Sequence, residues 1–344
     1  MRPRPTIRDV ARVAGVSHAT VSRHLNGHTN VARRTAEAID AAVLEANYVP
    51  NGNARSLVRR KSFTVALVVR EHIDLFYADP NLSRMAAGAN SVLSANGYVM
   101  PLMLVDSDVT ATRVVDMIRG GSVDGALLIA METNDQMVRA LRGTSTPLVT
   151  ASIPLADDSL TWVDTDNVGG TQTITDILRR TGRTRIAEIR GPAAMPVSRL
   201  RHEGFVAAMG QAYDPTLVVD ATQWSYDAGA QAMRVLLDRD APPDGIVAAS
   251  DLLAAGAMSV LAERGLDVPD DVAVVGFDDS PIAIMSTPQI STVRQESATT
   301  GKEMAKLMLA MLNGEQRSGS HITVPSVVVW RDSAGPAPAQ HATE

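Results

Sequence analysis

Arg23 and His18 are the side chains best equipped for recognition chemistry near the start of this 344-residue chain. A guanidinium can pair with two acceptors at once, such as O6 and N7 of a guanine, and an imidazole can donate to a purine N7. Both lie in Gly15-Val16-Ser17-His18-Ala19-Thr20-Val21-Ser22-Arg23. On a helix capped by Ser17, Val21 and Leu25 face inward while His18, Ala19, Ser22 and Arg23 face outward. Before it, Ile7, Val10, Ala11 and Ala14 recur at helical spacing, opened by Thr6 with Asp9 three residues on, the pattern of a capping box. Gly15 permits the tight corner between them. Two short helices meeting at a glycine corner describe a helix-turn-helix, whose second helix enters the DNA major groove. The competing reading is an ordinary helical pair packed on something else.

The elements that must position this pair follow directly. A third helix is expected from about Arg33 to Asn47, its stripe of Ile39, Ala42, Val43 and Ala46 closing a small core. Tyr48-Val49-Pro50 ends it, because a residue before proline avoids the helical region. Charge agrees with a polyanion partner: residues 1–61 carry a net +7 and the remainder −13, within a chain of −6. A basic head on an acidic body suits DNA binding by the head alone. The segment Asn51 to Val58 contains Gly52 and is too short to hold a helix by itself in water, so it is expected to order on a partner.

From Phe63 onward, apolar runs of strand length alternate with amphipathic stretches. Strands are expected at Thr64–Val69, Val99–Val105, Gly125–Ala130, Leu148–Ala151, Arg185–Ile189, Thr216–Val219, Gly245–Ala249 and Val272–Gly276. Helices are expected at Leu82–Asn96, Gly169–Thr181, Arg199–Met209, Tyr226–Arg239, Asp251–Arg264 and Ser297–Leu312. This alternation predicts an α/β body of parallel sheets covered on both faces, long enough for two lobes. The absence of cysteine fits a reducing cytosol and excludes thiolate metal sites. No apolar run is long enough to span a membrane, and Met1-Arg2-Pro3-Arg4-Pro5 leading into a polar helix gives no expectation of a secretion signal. Enzyme signatures are missing: Gly301-Lys302 lacks the rest of a phosphate loop, and no Gly-x-Ser-x-Gly elbow occurs. His24 and His28 have metal-pair spacing, but Asn26-Gly27 would end the helix between them. No cofactor or metal is expected.

The order of these pieces resembles the lactose/galactose repressor (LacI/GalR) family of bacterial transcription regulators, from about Thr6 to Trp330. The resemblance rests on Thr6-Ile7-Arg8-Asp9-Val10-Ala11, Ala14-Gly15-Val16-Ser17, Ala19-Thr20-Val21-Ser22-Arg23, Leu25-Asn26-Gly27 and Asn47-Tyr48-Val49-Pro50-Asn51, then Ala54-Arg55 and Leu57. In the body it rests on Val123-Asp124-Gly125, Asp166-Asn167-Val168-Gly169-Gly170, Arg201, Gly204-Phe205, Asp251, Gly256-Ala257-Met258 and Val274-Val275-Gly276-Phe277-Asp278-Asp279. Departures from the family pattern are Ala32 where a Ser would cap the third helix, a cap that Asn30 could supply, and Gly52 in the hinge. Asp79-Pro80-Asn81-Leu82 replaces Asn-Pro-Phe-Phe, and Ser152 and Ser250 replace frequent polar ligands.

The resemblance implies a helix-turn-helix domain over 1–50, a hinge over 51–61 and an effector-binding, dimerising body over 62–333. Its lobes would comprise about 62–163 with 293–323, and 164–292 with 324–332, a fold like that of periplasmic binding proteins. The tail 334–344 reads as disordered and lacks a leucine heptad, so a homodimer is expected rather than a tetramer. His18, Ala19 and Arg23 match base-reading positions. Thr20, Ser22, Asn26, Thr35, Tyr48 and Asn51 match phosphate-contacting ones, and Ala54 and Leu57 match a hinge that wedges the minor groove. Arg201 and Asp278 match positions that grip effector polar groups, and Trp224 offers a flat face to a sugar ring. Ser250, Asn81, Ser152 and Gln295 are further effector candidates. The function implied is a cytoplasmic, nucleoid-associated repressor of operator DNA governed by a sugar-like effector. The alternatives are a purine or nucleoside effector, or a solute-binding protein with no DNA role.

Overall fold

Local chemistry at residues 6 to 17 sets the first corner of the fold. The computed structural model describes residues 5–25, 30–48, 61–133, 135–153, 159–316 and 318–338, and divides into two units, to Phe63 and from Thr64. In the first unit, α1 (Ile7–Ala14) opens on Thr6, whose N–H and hydroxyl both donate to the Asp9 carboxylate, at 2.9 and 2.8 Å. Those bonds, the backbone one foremost, hold Asp9 below the usual carboxylate range. Gly15 closes α1 at φ 65°, a left-handed conformation that glycine adopts freely. Ser17 Oγ then accepts the Thr20 N–H at 3.1 Å and caps α2 (His18–Leu25). The next helix, α3 (Arg33–Glu45), starts on Ala32 with no side-chain cap, so Asn30 does not take over that role. Val10, Val21 and Ile39, fully buried with Ala11 and Ala42 around them, form the small three-helix core. His24 Nε2 meets Asp40 Oδ1 at 2.7 Å and ties α2 to α3. Asn26, Asn51, Ala54, Leu57 and the hinge reading lie outside the described residues.

The second unit is α/β. Its first lobe contains β1 (Val65–Val69), α4 (Ile73–Ala78), α5 (Pro80–Ala95), β2 (Leu102–Leu104), α6 (Asp108–Arg119), β3 (Gly125–Ile129), α7 (Gln136–Leu141), β4 (Leu148–Ala151) and β5 (Thr161–Thr165). The second lobe contains α8 (Asn167–Arg180), β6 (Ile186–Arg190), α9 (Pro196–Met209), β7 (Val218–Asp220), α10 (Tyr226–Leu237), β8 (Gly245–Ala248), α11 (Asp251–Glu263), β9 (Ala273–Val275), α12 (Pro281–Met285) and β10 (Thr292–Gln295). The chain then returns through α13 (Ser297–Leu312) and β11 (His321–Val324) to the first lobe, and through β12 (Ser326–Val329) to the second. One sheet runs β11-β5-β4-β3-β1-β2, the other β7-β6-β8-β9, and both are parallel throughout. The pair β10-β12 is antiparallel. Crossings between lobes fall at Asp166, Glu296 and Pro325, because β5 and β11 stay in the first sheet to their last residues and β10 pairs with β12.

Both faces of each sheet are buried, as a parallel sheet requires. Val65, Leu67 and Val69 meet α5 and α13, while Ala66 and Val68 meet α6 and α7. In the second sheet Ile246 faces α10 and α11, and Val247 faces α8 and α9. The paired helices cross at glycines: a Cβ on Gly301 would lie 2.0 Å from the Met85 carbonyl oxygen, and one on Gly256 2.0 Å from that of Tyr226. Close backbone approach therefore explains Gly301, which precedes Lys302 without forming a phosphate loop.

Three expectations need correction. The strand foreseen at Val99–Val105 shrinks to Leu102–Leu104, because Pro101 has no N–H for the ladder and Val99 keeps only an isolated bridge to Thr64. The one foreseen at Thr216–Val219 begins at Val218, since Pro215 opens a 3₁₀ turn capped by Asp214. The tail foreseen as disordered from Ala334 is packed at its start: Ser333 and Ala334 are buried, and Trp330 Nε1 donates to the Gly335 carbonyl at 2.9 Å.

Candidate functional site

The carboxyl ends of both sheets converge on one cavity of about 150 Å³, room for roughly ten water-sized spheres. Segments after β1, β3 and β4, the last residues of β5, and the segments after β6, β7, β8 and β9 supply its walls. This is where open α/β sheets bind ligands, outside the strand ends at the point where strand order reverses. All seven residues expected at an effector site line it: Arg201, Trp224, Asp278, Ser250, Asn81, Ser152 and Gln295.

Arg201, on α9, is the hub. Its Nε donates to Asn167 Oδ1 at 2.9 Å, its Nη1 donates to the Ala249 carbonyl, and Asp278 lies 3.5 Å away. The guanidinium carbon sits 3.6 Å from the Phe277 ring centroid and 5.8 Å from that of Trp224. Burial pulls the guanidinium below its ordinary pKa, opposed first by Asp278 and then by Asp164. Trp224 stays in place because Gly191 leaves room, where a Cβ would come within 2.1 Å of the indole. Asp278 accepts from Gln295 Nε2 at 2.6 Å, and burial pushes its carboxyl well above the usual range.

The remaining candidates are partly spent on structure. Ser250 Oγ caps α11 through the Leu253 N–H at 3.2 Å. Asn81 Oδ1 accepts from Ser297 Oγ at 2.8 Å, joining α5 to α13. Ser152 Oγ lies 3.4 Å from Asp164 Oδ2.

Sequence reasoning missed Glu71, Asp79, Asp164, Thr165 and Asn167, which also line the cavity. Asp164 accepts from the N–H groups of Ile153 (3.2 Å) and Thr165 (2.8 Å) and from Asn167 Nδ2 (3.0 Å), while burial raises its pKa to about 6. Asn167 was in the motif Asp166-Asn167 but read for its order, not its side chain. Asp79 had a legible signal, an Asp before Pro opening a helix, and it does cap α5 by accepting the Asn81 N–H at 2.8 Å. Behind the cavity, fully buried Asp251 accepts from Thr292 Oγ1 (2.5 Å) and the Ser280 N–H (2.7 Å), and burial lifts its pKa to about 7.

On the head, His18, Ala19 and Arg23 are exposed along α2. Arg23 Nε donates back to the Ala19 carbonyl at 3.3 Å. Thr20 Oγ1 sits 2.8 Å from Ser17 Oγ, while Ser22, Thr35 and Tyr48 are half-buried, Tyr48 against the head core. Among the described residues no helix is long and apolar enough to cross a membrane, and no acidic or histidine cluster could hold a metal ion.

Comparison with known proteins matches residues 6–51 to the bacterial regulatory proteins of the lacI family and residues 175–334 to a periplasmic binding protein-like domain. The transcriptional regulator CelR of Thermobifida fusca is 38% identical over 337 residues, covering 96% of this chain and 99% of that protein. The ribose operon repressor of Halalkalibacterium halodurans is 30% identical over 329 residues, covering 95% and 96%. Among solved structures, a CelR–cellobiose complex superposes with a TM-score of 0.77 at 37% identity, over 96% of this chain and 100% of that one. A lac repressor dimer bound to operator and an anti-inducer shares the fold, with a TM-score of 0.84 at 24% identity, over 97% and 100%. The match at the head sets aside a solute-binding protein with no DNA role. Matched along nearly its whole length by such regulators, the chain belongs to the LacI family and is a DNA-binding transcriptional regulator, not an enzyme.

Proposed function

We propose that the chain represses transcription as a homodimer on a pseudo-palindromic operator, with a sugar in the inter-lobe cavity setting its affinity for DNA. The observation that carries the effector class is the combination at Arg201: a fixed guanidinium, an indole face at Trp224 and carboxyl acceptors, which suit a ring bearing hydroxyls. The solved relative bound to cellobiose points the same way. A purine would gain little here, since Trp224 is the one aromatic side chain in the described lining. His18, Ala19 and Arg23 read base edges, while Thr20, Ser22, Asn26, Thr35, Tyr48 and Asn51 hold phosphates. Ala54 and Leu57 enter the minor groove at the operator centre. The body bounds of 62–333 and its place of work, the cytoplasm at the nucleoid, belong to the same proposal. Dimerisation is supported by the edge strand β2, whose Leu102 is exposed, as is Val99 just before it.

The test pairs two titrations of the purified chain. Cellobiose and other neutral sugars should raise its melting temperature, by an amount corresponding to about 3 kcal/mol at a hundredfold excess over Kd. The same sugar should change the affinity for an inverted-repeat duplex more than for scrambled DNA, measured by fluorescence anisotropy. No preference for any inverted repeat, with or without sugar, refutes the proposal.

A further inference from the structure

Carboxyls outnumber cations in the cavity wall. Among the described residues Arg201 is the one Lys or Arg that lines it, against four carboxyls: Glu71, Asp79, Asp164 and Asp278. Arg201 is already engaged by Asn167, the Ala249 carbonyl and Asp278. Asp164 is satisfied by four donors, Ser152 Oγ among them, and Asp278 by Gln295.

Glu71 and Asp79 differ from these two. Each spends one oxygen on a backbone N–H, Glu71 Oε1 on His72 at 2.9 Å and Asp79 Oδ1 on Asn81 at 2.8 Å. Asp79 also takes a side-chain hydrogen bond from Asn81, Glu71 has the His72 N–H as its one donor among the described residues, and neither forms an ion pair there. Loss of water raises both carboxyls above their ordinary range, and the charge of Asp79 adds to the effect on Glu71. The other charged groups that face them are His72 and Glu132 beside Glu71, and Arg201 and Arg84 beside Asp79. Both side chains are half-buried, and a carboxylate has more acceptor sites than these few donors fill, so a sugar hydroxyl can donate to either. A ligand bringing its own negative charge meets like charge where water screens it poorly.

Building on the reading of the cavity as a sugar site, we propose that Glu71 and Asp79 restrict the effector to uncharged sugars, accepting hydrogen bonds from hydroxyls and rejecting analogues that carry a carboxylate or phosphate. Selectivity then comes from a repulsive element as well as an attractive one.

The test compares cellobiose with cellobiouronic acid, a disaccharide of the same size carrying one carboxylate, by calorimetry on the full-length chain. The neutral sugar should bind at least about a hundredfold more tightly. In the double variant Glu71→Gln, Asp79→Asn the ratio should fall below about tenfold, whatever happens to either affinity alone. Asn also accepts at an N-cap, so α5 keeps its start, and a circular-dichroism melt checks folding. The charge-keeping variant Asp79→Glu should retain the preference. Equal affinities in the unaltered chain, or an unchanged ratio in the double variant, would overturn the inference while leaving the sugar reading standing. Binding of neither sugar would remove both.

Discussion

Replacing Gly191 by alanine should disturb the effector cavity through Trp224 without touching any ligand-facing polar group. A Cβ at residue 191 would sit 2.1 Å from Cη2 of the indole and 2.6 Å from Cζ2 and Cζ3. Carbon atoms pack at about 3.5 Å or more, so the ring has to retreat by more than about 1 Å. It has little room to do so, because its other contacts are the core of the second lobe and the Arg201 guanidinium 5.8 Å from its centroid. Overpacking of this kind costs about 1–3 kcal/mol. Carried wholly by the binding-competent arrangement, that weakens effector affinity by about five- to 150-fold. Calorimetry with cellobiose measures the loss, and tryptophan emission reports the displaced ring. The decisive control is a double-mutant cycle with Trp224→Ala, in whose background Gly191→Ala should cost nearly nothing. An equal loss in both backgrounds would refute the packing argument, as would unchanged emission and affinity in the single variant.

Ile39→Ala should cost the head about 2–5 kcal/mol, more than a core built on Val10, Val21 and Ile39 can spare. Duplex binding should vanish while sugar-induced stabilisation of the body persists, as paired anisotropy and melting measurements will show. Arg23→Lys keeps the charge but loses the planar fork, so it should weaken specific duplex binding by about 1–3 kcal/mol and non-specific binding little. Equal losses on specific and scrambled DNA would place Arg23 on phosphate instead. The body should also melt at lower temperature at pH 8 than at pH 5.5. Burial raises Asp164 to about 6 and Asp251 to about 7, above an ordinary value of 3.8. The folded state therefore holds protons that the unfolded chain releases. That contribution is complete below about pH 4 and is lost as pH climbs through 6 and 7. Calorimetric melts should show a flatter profile in Asp251→Asn, and an identical slope there would count against the assignment.

Much of this architecture was legible because local signals agreed with global ones. The helix at Ser297–Leu312 occurs as its periodicity requires, and the Thr6–Asp9 pair and the Ser17 cap follow from residue types alone. The strands at Thr161–Thr165, Thr292–Gln295, His321–Val324 and Ser326–Val329 went unread. They are short and mix polar with apolar residues, and their partners are remote: β5 pairs with β11 and β10 with β12. Register across such separations is a tertiary fact that no window of sequence contains. The cavity divides the same way. Arg201 and Asp278 stood out by position in a familiar order of motifs. Asp164 did not, because it lies in a strand that itself went unread, and its role is visible only once the surrounding N–H groups are placed.

The rim of the cavity also concentrates what the rest of the fold avoids. Ala130, Ser152 and Asp278 have φ of 59°, 82° and 120°, a region costly for any residue with a Cβ, and all three line the cavity. Ala130 and Ser152 directly follow β3 and β4, Asp278 lies three residues past β9, and Asp279 beside it has φ 54°. The loop from Phe277 to Ser280 is held there by Asp251 from below and by Arg294 and Arg331 on Asp279 from the side. Strain of about 1–3 kcal/mol per residue persists only where surroundings over-determine it. Two sheets with fully buried strands supply that surplus stability. Strained backbone, desolvated carboxyls and one stacked guanidinium occupy the same strand ends, which no requirement of folding explains. A site that must hold polar groups rigidly toward a ligand does explain it, and would have marked this cavity had no relative of the chain been known.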